Sequence, residues 1–399
     1  MWSLEIAATA EVTLRRVDVT GLDADALRET VAAESDAAAD RLNPDDGTML
    51  SAVWFDAGPQ ELGRLLLVAH HLVIDGVSWR TLIEDLAMAW VAADSGENAA
   101  LDPVPTSLRG FARIVTEQAQ EPARLAELDH WLRVTEPGAD LVPGTDGHAV
   151  VSSGARRTVR LDRQLTTALL TTVPAVVGAD VTDVLLAALR LSADRWLAER
   201  GRENDLLVDL ERHGREELAE GVDLSRTVGW LTNVTPVRLR SRAGALDTLK
   251  DVKEQLRGAP DGGIGYGMLR YVNARTAGLL AARSESQVLF NYLGRMPHVA
   301  PGPWTPAVES YSLATDPDAD LGGPYRLVIN ALCEESAEGT ELQAVFAWSD
   351  ADLSEADTVA LSDGWVAALR ELADAAAAHD GPAMLTPSDL PLVTLTQDE

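Results

Sequence analysis

Residues 64–80 read Arg64-Leu-Leu-Leu-Val-Ala-His70-His71-Leu-Val-Ile-Asp75-Gly76-Val-Ser-Trp-Arg80. The apolar run after Arg64 is strand length and predicts a buried strand over 64–69. Two adjacent histidines on extended chain cannot face the same way, because successive side chains alternate. One therefore faces a cleft while the other packs. Downstream, Leu82, Ile83, Leu86 and Trp90 recur at helical spacing. They predict a helix over about 78–93, that stripe inward and Ser78 as its N-cap. The His-His-x-x-x-Asp-Gly pattern thus sits on a strand-to-helix loop. Gly76 permits a tight turn there, and Asp75 is placed to hold a ring or fix the loop. The pattern points to catalysis or binding. Two histidines plus Asp75 at this spacing match no common metal site, and Ser78 lacks the setting of a serine nucleophile.

Working outward, the chain has 399 residues, too many for one ordinary core, so two subdomains are expected. Apolar residues make up 46% and charged residues 24%, the composition of a globular chain. Lys plus Arg total 33 and Asp plus Glu 63, for a net charge of −30. That balance argues against nucleic acid or an anionic membrane as partner, since both need basic surface. The lone cysteine, Cys333, excludes an intrachain disulfide and a cysteine-based metal site. The start, Met1-Trp2-Ser3-Leu4-Glu5, lacks the basic and apolar regions of a leader. The uncharged stretch 164–179 contains Pro174 and is too short to span a bilayer. A cytoplasmic location is expected.

Residues 135–155 are rich in Gly, Pro, Ser and Asp and mark a linker. The expected organisation is an N-terminal subdomain over 1–140, a linker over 141–155, a C-terminal subdomain over 156–385 and a connector over 386–399. Beyond the linker, strands are expected at 159–161, 206–210 and 286–292. A helix is expected over 183–198, with Val184, Leu185, Ala188, Leu191 and Leu197 inward and Gly201 as its stop. Glu211-Arg212-His213-Gly214 follows the second strand. Strands and helices alternate in both halves, which predicts an α/β fold with polar residues gathered at strand ends. Gly263, Gly265 and Gly267 form a GxGxG run, but no strand–GxGxxG–helix frame surrounds it, so a turn or lining role outranks phosphate binding.

His70-His71-Leu-Val-Ile-Asp75-Gly76-Val-Ser-Trp-Arg80 strongly resembles the condensation-domain superfamily of nonribosomal peptide synthetases, and its Gly76-Val-Ser-Trp-Arg80 extension the epimerization branch. Five later segments agree in order: 181–189 (VTDVLLAAL), Leu210-Glu211-Arg-His213-Gly-Arg-Glu216, Arg226-Thr-Val-Gly-Trp230 continuing to Pro236-Val237, Gly263-Ile-Gly-Tyr-Gly267, and Phe290-Asn291-Tyr292-Leu-Gly294. The resemblance implies two chloramphenicol-acetyltransferase-like subdomains in a V, an α/β (α+β two-layer) fold, with the active-site tunnel between them. It implies no bound cofactor. The substrate, an aminoacyl or peptidyl thioester, is presented on the phosphopantetheine arm of an upstream peptidyl carrier domain, with other synthetase domains as neighbours. Its Cα proton is removed and replaced from the opposite face, converting L to D.

A thioester acidifies its Cα–H only modestly, so the enolate needs stabilisation, and inversion is easiest with one proton-transfer group per face. By the resemblance these groups are His71 and Glu211, with Asn291 and Tyr292 as hydrogen-bond donors to the enolate or thioester oxygen. His70, Asp75, Gly76 and His213 are structural at the site. Two departures stand out: Arg212 replaces the Gly usual after the Glu, where it either lowers the Glu211 pKa or points away without effect, and Arg295 stands where Gln is common. Family members also begin with a PIQxWF-like segment, so the N-terminal subdomain is expected to be incomplete. The alternatives are a condensation domain forming an amide bond between carrier-bound substrates, and an inactive interaction module of the same fold. For docking an acidic carrier, Arg156, Arg157 and Arg270 are the candidates.

Overall fold

The computed structural model describes residues 5–6, 12–144, 155–216, 218–296, 302–312 and 325–390. Most of the expected linker and the end of the connector lie outside the described residues. The chain forms two compact units: residues 1–108 with 219–231 and 299–315, and residues 109–218 with 232–298 and 316–399. These units differ from the expected boundaries. Residues 109–134 pack with the second unit, and 219–231 return to the first.

In the first unit, β1 (Leu14–Asp18) pairs parallel with β2 (Leu50–Asp56), and β2 pairs antiparallel with β3 (Arg64–Ala69). Helix α1 (Ala24–Asp40) connects β1 to β2; Asp23 caps it by accepting from the Asp25 and Ala26 N–H groups. Val31 and Ala38 of this helix close a small core with Val19, Val53 and Phe55. Helix α2 (Gly76–Asp94) begins two residues before the expected start, and its N-cap is Asp75 rather than Ser78. Its expected inward stripe is not buried either. Leu82, Ile83 and Leu86 are half-buried, and Trp90 is 59% exposed, edge-on to Trp304 at 6.3 Å. Helical spacing reveals a stripe but not what lies against it.

The second unit holds helices α3 (Leu108–Gln118), α4 (Pro122–Leu125) and α5 (Leu128–Val134), then β4 (Arg156–Arg160), α6 (Arg163–Leu170), α7 (Thr172–Val177) and α8 (Val181–Ala198). Strands β5 (Leu206–Arg212) and β6 (Asn233–Leu239) follow, then α9 (Ala245–Arg257), α10 (Ile264–Gly267), α11 (Ala277–Ala281), β7 (Val288–Met296), β8 (Leu327–Ser336), β9 (Gly339–Trp348) and α12 (Glu355–Ala377). The six strands form one mixed sheet in the order β4-β9-β8-β7-β5-β6, with β5, β7 and β8 parallel. Pro236, which cannot donate to a ladder, lies on the edge strand β6. Three arginines of β4 charge the other edge.

Alternate residues of the sheet face the helices: Leu206, Val208 and Leu210 on β5, Val288 and Phe290 on β7, and Leu327, Ile329, Ala331 and Cys333 on β8. Against them pack Leu185 and Leu189 of α8, Leu249 and Val252 of α9, and Trp365 and Leu369 of α12. The Trp365 indole N–H donates to the Leu185 carbonyl at 3.0 Å, so one of the largest core side chains has its polar atom satisfied. Lys253 is fully buried; its Nζ donates to the Val177 carbonyl and the Asp389 carboxylate, both at 2.6 Å. Asp180 and Asp183 form a capping box at the start of α8, and Gly201 follows the helix with φ 66°.

Glycine at 263 is demanded twice over. Its φ is 94°, and a Cβ there would overlap the Thr235 side chain. At Gly265 a Cβ would run into the Glu127 carboxylate and the Arg124 guanidinium. At its first two glycines the GxGxG run is therefore a packing device. Among the described residues, no single helix is long and apolar enough to cross a membrane.

Candidate functional site

The candidate residues fall into two clusters, one within each unit. In the first unit, β3 ends at Ala69, and the His70 N–H bonds the Met49 carbonyl at 2.9 Å. His70 caps a single 3-10 turn, His71–Val73, its Nδ1 accepting from the Leu72 N–H at 3.2 Å. That bond turns His70 back onto the chain. His71 is exposed, and its ring lies 4.7 Å from the Trp230 ring, tilted by 46°.

Trp230 is brought there by Asp75. This carboxylate is 2% exposed, and its Oδ1 accepts from the Ser78 N–H at 2.8 Å and the Ser78 hydroxyl at 2.7 Å. Its Oδ2 accepts from the Leu231 N–H at 3.1 Å. The fully buried Ser78 hydroxyl also shares its proton with the Gly229 carbonyl at 3.0 Å, and the Gly229 N–H is 3.1 Å from the same oxygen. One capping motif thus starts α2 and fastens the Gly229–Leu231 strap beneath His71. Further back, the Arg226 guanidinium grips both Asp85 oxygens at 2.7 and 2.9 Å, and the Thr227 hydroxyl donates to the Thr106 carbonyl at 2.7 Å. The turn expected of Gly76 is absent. It is the first residue of α2, its φ is not left-handed, and a Cβ there would meet nothing within 4 Å.

In the second unit, β5 runs on through Glu211, because Glu211 and Arg212 still pair with Val234 and Asn233 of β6. Glu211 is in register with Asn291 of β7, and Asn291 with Asn330 of β8. Register neighbours share a face, so three polar side chains form a row on the face away from α8 and α12. All three are half-buried. Asn330 was not among the expected residues; an Asn within the apolar strand Leu327-Val-Ile-Asn-Ala331 is its only sequence signal.

Tyr292 is not brought to this row. As the next residue on β7 it faces the helices, packed against the core, its hydroxyl 3.5 Å from Cys333 Sγ. Burial and the Cys333 contact raise its phenol well above the ordinary tyrosine value. Arg212 likewise alternates away from Glu211; its guanidinium lies towards Gly262. His213 folds back, its Nδ1 accepting from the Arg215 N–H at 3.0 Å, with Gly214 at φ 65° completing the turn. Arg157 is held by Asp363 at 2.6 Å, and Arg270, over the Tyr271 ring, has Glu285 at 3.8 Å.

Two more residues join the face of Glu211. Asp209 lies two residues earlier on β5, on the same side of the sheet. Its Oδ2 accepts from the Tyr325 hydroxyl at 2.8 Å. Burial pushes the Asp209 carboxyl up to about 6, against the downward pull of that hydrogen bond. Burial, then the Asp209 charge and more weakly that of Glu211, holds the Tyr325 phenol well above its usual value. Among the described residues no group of three or more metal-ligand side chains occurs.

Residues 4–388 match the Condensation domain family. The chain is 38% identical over 283 residues to one protein of the linear gramicidin synthase of Brevibacillus parabrevis, covering 68% of this chain and 5% of that protein. To a second protein of the same synthase it is 33% identical over 363 residues, covering 88% and 7%. It therefore spans a small fraction of these relatives' length. In structure it is similar to the epimerization domain from the third module of tyrocidine synthetase B, with a TM-score of 0.76 and 24% identity over 93% of this chain and 82% of that one. The two-sheet α/β architecture is that of the two-lobed, chloramphenicol-acetyltransferase-like fold. On the span and continuity of the family match, the chain belongs to the Condensation domain family.

Proposed function

We propose that the domain inverts the Cα of an aminoacyl or peptidyl thioester held on the phosphopantetheine arm of a peptidyl carrier domain, with neighbouring synthetase domains as its other partners. The observation that carries this reading is the polar row Glu211–Asn291–Asn330, built on the sheet face opposite the helical core. Amide-bond formation, the alternative, has no evident use for a carboxylate beside two carboxamides. Cα inversion uses both: a carboxylate exchanges a proton with carbon, and an amide N–H stabilises the enolate oxygen.

His71 supplies the second proton-transfer group. Its ring is exposed and braced on Trp230, which fixes its direction without taking up a ring nitrogen. Asn291 donates to the enolate or thioester oxygen. His70, Asp75 and His213 orient their loops, and Tyr292 is left to the core. Arg212, on the opposite face from Glu211, does not stand in the way of this chemistry. The tyrocidine synthetase B domain of similar fold is an epimerization domain, which agrees with the proposal.

Deuterium wash-in tests it. A carrier domain loaded with an L-aminoacyl or dipeptidyl thioester is mixed with this protein in D2O, and label and chirality are read after hydrolysis. Wild type should give labelled D product. His71→Ala and Glu211→Ala should each cut D-product formation by about 10²–10⁴-fold. No label from a cooperatively folded wild type would sink the proposal, and amide formation with an acceptor-loaded carrier would replace it.

A further inference from the structure

Asp209 and Tyr325 have no part in the chemistry above, yet they occupy the same sheet face as Glu211. On β5, Asp209 belongs to a second row, Pro236–Asp209–Leu289–Val328, one step along the strands from Val234–Glu211–Asn291–Asn330. Apart from Asp209 this second row is apolar. Asp209 Oδ2 accepts from the Tyr325 hydroxyl at 2.8 Å, and its backbone N–H donates to the Ser286 hydroxyl oxygen at 3.0 Å. Oδ1 accepts no hydrogen bond among the described residues, and Asp209 keeps part of its surface open. A carboxylate set in an apolar row, aimed by a tyrosine and with one oxygen unoccupied, is a poor stability device. It is a good acceptor for a ligand's donor.

We propose that Asp209, oriented by Tyr325, is the recognition group for the side chain of the inverted residue, and that this side chain ends in an amine. Both the site and its distances rest on Glu211 exchanging the Cα proton. With Glu211 in hydrogen-bond reach of that carbon, Asp209 lies about 7 Å further along the strand. The substrate's own α-nitrogen, only about 1.5 Å from Cα, cannot reach it. An amine at the end of a three-methylene side chain stands about 5 Å from Cα and can. The cation also relieves the cost of a desolvated carboxylate.

The test uses the full chain and two stable probes, the pantetheine amides of L-ornithine and of L-norleucine, which differ by an ammonium against a methyl. Binding is measured by calorimetry. Wild type should bind the ornithyl probe at least about tenfold more tightly. Asp209→Asn and Asp209→Val should bring the two affinities together by weakening the ornithyl probe alone. Equal affinity in wild type, no saturable binding of either probe, or a preference that survives in both variants would overturn the proposal. So would equal weakening of both probes. Wash-in on the same two side chains separates this from the reaction itself. Ornithyl preference without Cα exchange would refute epimerization and keep the subsite; exchange without preference would do the reverse.

Discussion

Asp75→Ala is the perturbation whose size the structure lets us work out best. Removing the carboxylate strips α2 of its N-cap, a loss of about 1 kcal/mol in most helices. It also orphans the Leu231 N–H, which is buried, at about 1–3 kcal/mol. The Ser78 hydroxyl keeps the Gly229 carbonyl and adds little. The sum is about 2–4 kcal/mol, placed on the strap that carries Trp230. Asp75→Asn keeps the capping oxygen but presents N–H to N–H at Leu231, so it should lose roughly half as much. Guanidinium unfolding gives the energy. Because two units need not melt together, amide exchange decides the case: protection should drop at Ser78 and Leu231 and hold at the core of the second unit. A loss under about 1 kcal/mol in Asp75→Ala, or unchanged protection at Leu231, would refute the role given to this carboxylate.

Four other outcomes follow from the second unit. Burial raises the Asp209 carboxyl to about 6, so the folded state holds its proton more tightly than the unfolded chain and stability falls as pH rises from about 4 to 6. Asp209→Asn should therefore match wild type near pH 3.5 and exceed it by on the order of 2 kcal/mol at pH 7 in denaturant titrations. Gly263→Ala should cost about 2 kcal/mol or more through its left-handed φ and the Thr235 overlap. Gly278→Ala, in open space on α11, should be neutral or stabilise by up to about 1 kcal/mol, and the two melts side by side check both. Lys253→Met should cost about 3 kcal/mol by leaving the Val177 carbonyl and Asp389 without their donor, read as a lowered Tm.

Much of this was legible in the sequence, and the failures have physical causes. The strand expected over 64–69 is β3 end to end, and the helix expected over 183–198 is α8 started two residues earlier. In both, a local pattern is bounded by local stops. Trp90 went wrong because its environment is not local. Asp209, Asn330 and Tyr325 were missed because Asp209 lies more than a hundred residues from the other two in the chain, and only the pairing of β5 with β7 and of β7 with β8 brings them to one sheet face. Tyr292 is the opposite case. The alternation expected of His70 and His71 also separates Asn291 from Tyr292, so the strand itself carried the answer.

The Asp75–Leu231 bond joins residues 156 positions apart. During synthesis at about 5–20 residues per second, Asp75 therefore waits roughly 8–30 s before its second oxygen finds a donor. Until then α2 has its cap but His71 has no Trp230 beneath it. The first unit cannot finish before much of the second has been made, so a nascent chain stalled near residue 140 would carry the whole histidine motif and none of its support.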